Sequence, residues 1–119
     1  KDVMSPPLTI FPADNILHFV DNILPNRRQT SFIVAQDGNF YGILALEDIK
    51  NLDKEKWHLT EIQTVMRPLK PEYFVEPDTP LNDAKEIMRQ NGIGIVVVLD
   101  EDENLVGYLQ RGKIRRKIK

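Results

Sequence analysis

The sequence predicts an α+β fold of α/β-like character, made of two similar βαββα halves that a pseudo-twofold axis relates. A Val-Met-x-Pro motif at residues 3–6 recurs at residues 65–68, and the glycine-centred apolar segment Phe40–Leu44 recurs as Leu105–Leu109. A long unit that occurs only twice indicates a duplicated small domain rather than a solenoid. Such an axis creates two related clefts, and differences between the copies indicate which cleft is able to bind a ligand.

Composition places the chain among soluble globular domains and limits its partners. It has 119 residues, of which 41% are apolar and 29% charged, so we expect one compact unit. Each half alone would bury only a marginal fraction of its surface, and the halves are therefore expected to share a core. The net charge of −2 indicates neither nucleic acid nor a membrane surface as a partner. The absence of cysteine excludes disulfides and thiol chemistry.

Each half begins with a short strand and an amphipathic helix. The strand candidates Leu8–Phe11 and Tyr73–Val75 lie next to prolines. Apolar residues then recur at helical spacing, at positions 16, 19, 20 and 23 in the first half and 81, 84, 87 and 88 in the second. The expected boundary residues of these helices are Asp14 and Asp78 or Thr79 as N-caps, Pro80 in the first turn and Gly92 at the exit.

Each half continues with a buried β-hairpin. Ser31–Ala35 and the aliphatic Ile95–Leu99 are predicted strands, and the second is expected to be buried on both faces. The sequence Asp37-Gly38-Asn39 predicts a tight turn, and Asp100–Asn104 occupies the equivalent place in the second copy. The acidic run in that second turn lacks the alternating spacing and glycine of a calcium loop, so we interpret it as a solvated turn.

Short helices close the two halves, and a polar connector joins them. Leu46, Ile49 and Leu52 line the first closing helix, while Ile114 and Ile118 line the second. The predicted organisation is repeat 1 over residues 1–52, a connector over 53–63 and repeat 2 over 64–119.

The connector contains Trp57, the only tryptophan of the chain. We expect it to pack one half against the other, because tryptophan side chains bury large areas. Stacking on a ligand is the alternative interpretation.

The order of these motifs resembles a tandem pair of CBS domains, the Bateman module, over essentially the whole chain. The residues that carry the resemblance are the two Val-Met-x-Pro motifs, the two apolar hairpins and the Gly-h-h-x-x-x-Asp pattern that starts at Gly42. The segment Lys54–Thr60 is also similar to the inter-repeat connector of CBS pairs attached to bacterial site-2-type zinc metalloproteases. In those intramembrane enzymes the CBS pair is an appendage outside the membrane.

The resemblance implies an adenosine-type ligand, such as AMP, ADP, ATP or S-adenosylmethionine, in the cleft between the halves. In the family motif Gly-h-x-Ser/Thr-x-x-Asp, the aspartate accepts both ribose hydroxyls, while the hydroxyl residue and the helix start favour a phosphate. The first copy keeps Gly42 and Asp48 but has Ala45 at the hydroxyl position. The candidate ligand-binding residues carried over from the family are Gly42, Ala45, Asp48, Ser5, Ile10, Ser31, Phe32, Ile33, Arg111 and Lys113.

The second copy departs further from the family motif. Gln110 stands at the hydroxyl position and Lys113 at the acidic position. A lysine has no acceptor atom, so ribose binding in the family manner is lost there. At most one family-like site therefore remains, centred on Asp48. The competing interpretation is that Asp48 is a first-turn acid that interacts with the helix dipole.

No residue pattern indicates catalysis or a metal site. His18 and His58 are the only histidines, and neither belongs to an HExxH motif. We expect both to be structural or solvated, and no cofactor is required. The basic segment 111–119 is interpreted as a solvated helix face, with anionic lipid or nucleic acid as alternatives. Because the chain begins inside the first motif and ends inside this segment, we expect it to be a piece of a longer protein.

The sequence thus predicts a non-catalytic, cytoplasmic regulatory module that senses an adenosine-type nucleotide and controls an attached catalytic or transport domain. The alternative is a ligand-free interaction or dimerisation module of a larger protein, for example a membrane metalloprotease. The expected partners are the attached domain and a second copy, with the helix face of Ile16, Phe19 and Ile23 in the dimer surface. No nucleic acid is expected, and a membrane only through the parent protein.

Overall fold

Two β-sheets, one for each repeat, form the framework of the protein. The computed structural model describes residues 9–27 and 29–110. The strands of the first sheet are β1 Thr9–Ile10, β2 Ser31–Gln36, β3 Asn39–Ala45 and β4 Arg67–Pro68, in that order; those of the second are β5 Phe74–Val75, β6 Ile95–Leu99 and β7 Leu105–Gln110. In both sheets a short strand runs parallel to the first strand of an antiparallel hairpin. The predicted α+β fold of two related halves is confirmed.

Helices cover the outer faces of these sheets. They are α1 Ile16–His18, α2 Leu46–Ile49, α3 Ile62–Val65 and α4 Leu81–Asn91, and short 3-10 turns span Lys54–Leu59 and Pro71–Tyr73. The first helix is irregular, because α1 widens into a π-helical turn over Phe19–Ile23 and ends in a 3-10 turn over Leu24–Asn26. The closing helix predicted around Ile114 and the Val-Met-x-Pro motif at residues 3–6 lie outside the described residues.

The caps of α1 differ from the sequence-based expectation. Asn15, not Asp14, is the N-cap, and its side chain accepts a hydrogen bond from the backbone amide of His18 at 2.8 Å. Asp14 instead places its Oδ2 atom 2.6 Å from Nδ1 of the His18 ring. The backbone of Asn15 is extended just ahead of the first helical residue, and in this conformation its side-chain amide oxygen accepts from the backbone amide of His18.

The start of α4 was also predicted incorrectly, whereas its end was predicted correctly. Pro80 is the N-cap residue and makes no side-chain cap bond. Thr79 uses its hydroxyl within the preceding turn, where Oγ1 accepts from the amide of Glu76 at 3.0 Å. Gly92 follows the helix with a φ of +75°, a left-handed conformation that glycine adopts without steric cost.

The two halves share a core, which we call the central cluster. It contains residues of both sheets: Ile33, Ala35, Phe40, Ile43, Tyr73, Ile95, Val97, Leu99 and Tyr108. The opposite face of each sheet is covered by its own helices. Since side chains alternate along a strand, β2 and β6 contribute to the central cluster with one face and to a helix-covered cluster with the other. The expected two-sided burial of Ile95–Leu99 is confirmed, as all five residues are buried.

The pseudo-twofold axis passes between the two hairpin turns. Asn39 forms an antiparallel bridge with Asn104, the residue at the equivalent place in the second copy. Next to this bridge the amide of Leu105 donates to the carbonyl of Gly38 at 2.8 Å. Equivalent backbone positions therefore meet at the axis, as expected for a duplicated unit.

The connector and the strand that follows it lie on the first repeat. Strand β4 pairs with β3 of the first sheet, and Ile62 of α3 is fully buried in the cluster beneath that sheet. Trp57 packs on the same cluster, and its Nε1 donates to the carbonyl of Leu52 at 3.3 Å. The expectation that Trp57 packs one half against the other is wrong, because Trp57 lies outside the central cluster that the halves share and packs on the helix-covered cluster of repeat 1.

Two residues of the expected dimer surface are part of the protomer core. Ile16 and Phe19 are both 0% exposed, and the Phe19 ring meets Phe32 edge-to-face with centroids 4.8 Å apart. Their side chains are buried by packing within one chain, so they cannot form an external surface. Of the three named residues, only Ile23 is partly exposed.

Among the described residues, no helix has the length and apolar character needed to cross a membrane.

Candidate functional site

Strand β3 runs directly into helix α2 and positions the candidate acid. Ala45 is the last residue of β3 and the N-cap of α2, where its methyl group provides no capping oxygen. Asp48 lies in the first turn of α2, and its side chain is 28% exposed. A family-like hydroxyl is thus absent at the helix start, while the carboxylate one turn later is present.

The carboxylate of Asp48 is engaged by Arg67, a residue that the sequence analysis did not single out. Nε of Arg67 donates to Oδ2 of Asp48 at 3.0 Å, and Nη2 donates to Oδ1 at 3.5 Å. The same Nη2 lies 3.4 Å from Oε1 of Glu47. The hydrogen bond to Asp48 raises the pKa of Arg67 well above its usual range; partial burial opposes this rise and the Tyr73 side chain adds to it. The guanidinium therefore remains charged wherever the protein is folded.

Gly42 explains how Arg67 comes so close to α2. In the β3–β4 ladder Gly42 is opposite Pro68 and Ile43 is opposite Arg67. A Cβ atom at position 42 would lie 2.2 Å from the backbone carbonyl oxygen of Arg67. Only glycine permits this approach, so the family-motif residue Gly42 determines where the basic side chain is placed.

A cleft of about 300 Å³ opens beside this ion pair, between the two repeats. The lining residues are Thr30, Ser31, Leu46, Glu47 and Lys50 from repeat 1, and Gly92 and Ile93 from repeat 2. Its walls combine two hydroxyls, a carboxylate, an ammonium group and two aliphatic side chains. Pockets of this size and mixed character bind small molecules.

One wall of the cleft is buried and the opposite wall is held by hydrogen bonds. Ser31 is 4% exposed and is the only polar residue that is buried among those the structure describes. On the other side, Asn91 fixes the loop after α4. Its Nδ2 donates to the carbonyls of Glu72 and Ile95 at 2.8 and 3.1 Å, and its Oδ1 accepts from the amide of Ile93 at 3.0 Å. The cleft is thus largely preformed.

The structure brings some of the predicted site residues together and separates others. Ser31 lines the cleft and is directly opposite Ala45 in the hairpin, so the two residues share a sheet face. Asp48 does not line the cleft itself but follows Glu47, which does. Ile33 is on the same face as Ser31 and is buried in the central cluster.

Ile10 and Phe32 lie on the opposite face of the first sheet. They are 3% and 0% exposed and belong to the cluster covered by α1 and α3. The structure therefore places both in the packing of repeat 1, away from the cleft. Ser5, Arg111 and Lys113 lie outside the described residues.

Sequence reasoning missed Arg67, Lys50 and Ile93. Arg67 occupies the variable position of the second Val-Met-x-Pro motif. Its proximity to Asp48 depends on β4 joining the sheet of the other repeat, which no local pattern reveals. Lys50 follows Asp48 by two residues, and a helical projection from Glu47 would have placed it on the same face.

A second, larger depression lies on the outer side of repeat 1. It has a volume of about 490 Å³ and is mostly apolar. The lining residues are Val20, Leu24, Leu46, Ile49, Lys50, Leu52, Asp53, Lys54 and Trp57. We call this surface the outer groove. Within the described part of the chain, no group of three or more histidine, cysteine or acidic residues could hold a metal ion.

A family model and several curated relatives match the sequence. The model of the CBS domain matches residues 61–119. "Uncharacterized protein MJ0188" of Methanocaldococcus jannaschii is 27% identical over 116 residues, which cover 98% of this chain and 42% of that protein. "Putative zinc metalloprotease sll0528" of Synechocystis is 24% identical over 119 residues, which cover 96% of this chain and 31% of that protein. The chain therefore spans less than half of the length of either relative.

Solved structures share the fold over the whole chain. The structure described as CBSX2 in complex with AMP superposes with a TM-score of 0.81 at 23% identity, covering 98% of this chain and 92% of that one. The CBS domain of the bacterial CNNM/CorC family Mg²⁺ transporter in complex with ATP also gives a TM-score of 0.81, at 15% identity, covering 98% and 84%. At these identities the likeness shows that the fold is the same.

Proposed function

Because the chain belongs to the CBS domain family and folds as a tandem CBS pair, we propose that it is a non-catalytic regulatory module that binds an adenosine-type nucleotide between its repeats. CBS domain proteins are typically regulatory. The observation that carries the proposal is the cleft shared by the two repeats, which has Ser31 in its wall and the Glu47-Asp48 pair at its edge. AMP, ADP, ATP and S-adenosylmethionine are the candidate ligands.

The chemistry of the cleft suits a nucleotide. Leu46 and Ile93 offer aliphatic surface on opposite repeats, which is suitable for contact with a purine. The buried hydroxyl of Ser31 faces the position where Ala45 lacks one, and Lys50 supplies a positive charge for a phosphate. Asp48 is the proposed ribose acceptor, since a carboxylate offers two acceptor oxygens to the two ribose hydroxyls.

A ligand in this position would act on the relative orientation of the repeats. Both repeats line the cleft, and they also meet through the central cluster, the contact between the hairpin turns, the β3–β4 ladder and the Asp48–Arg67 ion pair. A ligand that binds one orientation more tightly than another shifts the population towards it. An attached catalytic or transport domain would respond to that shift.

Isothermal titration calorimetry with AMP, ADP, ATP and S-adenosylmethionine tests the proposal. We expect at least one of the four to bind, and Asp48→Ala to weaken that binding about tenfold, which corresponds to the loss of hydrogen bonds to a charged group. The matched control is Asp83→Ala, which removes an exposed first-turn acid from α4. Absence of heat with all four ligands, or equal binding by wild type and Asp48→Ala, would contradict the proposal.

A ligand-free interaction module is the second candidate function. Two observations favour it: Arg67 already engages the Asp48 carboxylate, and the outer groove exposes apolar surface on repeat 1. In this case the chain would pair with a second copy or hold its parent protein to a partner. Flat titrations together with a mass that rises with concentration in light scattering would establish this function in place of nucleotide binding.

The parent protein is proposed from the relatives. We infer an attached effector domain, because one structural neighbour is the CBS domain of a Mg²⁺ transporter and one relative carries a zinc metalloprotease name. We also propose a cytoplasmic location, which the cytosolic domain of the Mg²⁺ channel MgtE among the structural neighbours supports, and the role of an appendage to a site-2-type protease, which the zinc metalloprotease name of the relative supports. The repeat boundaries 1–52, 53–63 and 64–119 belong to this proposal.

A further inference from the structure

In this structure the Asp48 carboxylate is already bound by another side chain of the same protein, Arg67. Both of its oxygens are taken by one guanidinium, through Nε at 3.0 Å and Nη2 at 3.5 Å. The two side chains are 26% and 28% exposed, so solvent screens the pair less than it screens an ion pair on the open surface. A ribose diol would need the same two oxygens.

We propose that Arg67 competes with the ligand for Asp48 and thereby sets the affinity of the site; this inference rests on the proposed nucleotide-binding function. Two groups cannot hold the same acceptor oxygens in the same geometry. Ribose binding therefore requires the guanidinium to leave Asp48, and the cost of that step lowers the affinity of every ligand that uses the carboxylate.

The surroundings of Arg67 make this displacement feasible. Glu47 already lies 3.4 Å from Nη2 and is 69% exposed, so it offers a second carboxylate when Asp48 is taken. The backbone of Arg67 is fixed by its ladder position opposite Ile43, which confines the change to the side chain. Arg67 comes from repeat 2 and Asp48 from repeat 1, so the exchange also breaks a contact between the repeats.

The residue types allow this competition at only one of the two pseudo-equivalent pairs of positions. Lys113 stands in the second copy where Asp48 stands in the first, and Ser5 stands in the first copy where Arg67 stands in the second. Neither Ser5 nor Lys113 is an acid or an arginine, so this pair of positions lacks both groups that the competition requires. The competition is therefore specific to the site on which the nucleotide proposal depends.

Calorimetry with adenosine and AMP on Arg67→Gln tests the competition directly. Adenosine is the informative probe because it has the ribose but no phosphate to contact a basic side chain. We expect Arg67→Gln to bind adenosine about tenfold more tightly than wild type, since the ligand no longer displaces a charged hydrogen-bond donor. The gain should vanish in the double variant Asp48→Ala/Arg67→Gln.

Two further variants separate the effect of net charge from that of the hydrogen-bond geometry. Arg89→Gln removes an arginine that pairs with Glu86 on the exposed face of α4, and it should bind like wild type despite the same change in net charge. Arg67→Lys keeps the positive charge without the two-pronged geometry, so its gain should be intermediate. It also carries the test if Arg67→Gln fails to fold, which a melting curve by circular dichroism will show.

The outcomes separate this inference from the function on which it rests. If wild type binds AMP and Arg67→Gln binds adenosine no more tightly than wild type does, the nucleotide function stands and the competition is wrong. If wild type is silent but Arg67→Gln binds, the competition stands and wild type is not a nucleotide sensor. A gain that persists in the double variant overturns the competition at Asp48, and silence of every variant overturns both proposals.

Discussion

The two hairpins of the protein share an internal irregularity but end in different turns. In the first hairpin the register shifts between Val34 and Ala35, and in the second between Val98 and Leu99. Ala35 and Leu99 lie in the central cluster that the two repeats share, whereas Val34 and Val98 lie in the helix-covered cluster of their own repeat. The first hairpin closes with Asp37 and Gly38 at φ values of +56° and +82°, which is the backbone of a tight two-residue turn.

The second hairpin closes with a longer turn that depends on a side chain. Oδ1 of Asp100 accepts hydrogen bonds from the amides of Asp102 and Asn104, both at 2.9 Å. The comparison teaches that duplication retained the features on which the shared core depends. The exposed residues of the two turns diverged, because they lie outside the buried clusters, and the residues of the candidate site diverged as well.

The largest expected effect on stability comes from a substitution that disrupts the contact between β3 and β4. Gly42→Ala should lower the free energy of unfolding by about 2–3 kcal/mol, because the new methyl group meets the Arg67 carbonyl and forces the strands apart. Gly38→Ala is the matched control. It meets no atom within 4 Å, so it should cost only about 1 kcal/mol from its left-handed backbone. Urea unfolding measures both, and equal losses would show that the close approach at Gly42 is unimportant.

A smaller effect on stability is expected from the Asp48–Arg67 ion pair between the repeats, which should contribute more than the Glu86–Arg89 ion pair within α4. A double-mutant cycle on Asp48 and Arg67 should give a coupling of about 1 kcal/mol, as expected for a partly buried charged hydrogen bond. The same cycle on Glu86 and Arg89 of α4 should give less, since that i,i+3 pair is exposed on both sides. Adding 1 M salt should weaken the exposed pair more. Equal couplings would mean that the Asp48–Arg67 pair contributes no more than a surface pair.

The smallest effect concerns the second turn and its dependence on pH. The amide of Asn104, followed by that of Asp102, lowers the pKa of Asp100 below its ordinary value of 3.8. The charged carboxylate therefore stabilises the fold above that pH, and its contribution is lost as the pH falls through the lower folded-state pKa. Asp100→Asn should be less stable than wild type at neutral pH, and the difference should shrink as the pH falls from the ordinary pKa of 3.8 through the lower folded-state pKa.

The control for this prediction is in the same turn. Asp102→Asn changes the same charge, but only the backbone amide of Asp102 takes part in the turn bonds. Its stability difference from wild type should vary less with pH than that of Asp100→Asn. Urea unfolding between neutral and acidic pH measures both variants, and a constant difference for Asp100→Asn would refute the proposed role of the carboxylate.

Local patterns predicted the elements well and the contacts between them poorly. The strands around Ile33 and Val97 and the helix exit at Gly92 were predicted correctly, because alternation, β-branching and glycine act over a few residues. The N-caps at Asp14 and Thr79 were wrong by one residue, since the Asp14 carboxylate contacts the His18 ring and the Thr79 hydroxyl bonds within the preceding turn. Trp57 was assigned to the wrong partner because its burial is determined by the path of the connector.

The sequence by itself determined the duplication, the α+β class, the shared core and the presence of an acid at position 48. These properties follow from periodicity and residue type, which each segment carries with it. Only the tertiary structure decided that Arg67 lies on Asp48, that Phe32 faces the helices, and that Ser31 and Ile93 line one cleft. Those facts depend on β4 crossing onto the other repeat's sheet and on the pseudo-twofold docking, which bring together residues that are distant along the chain.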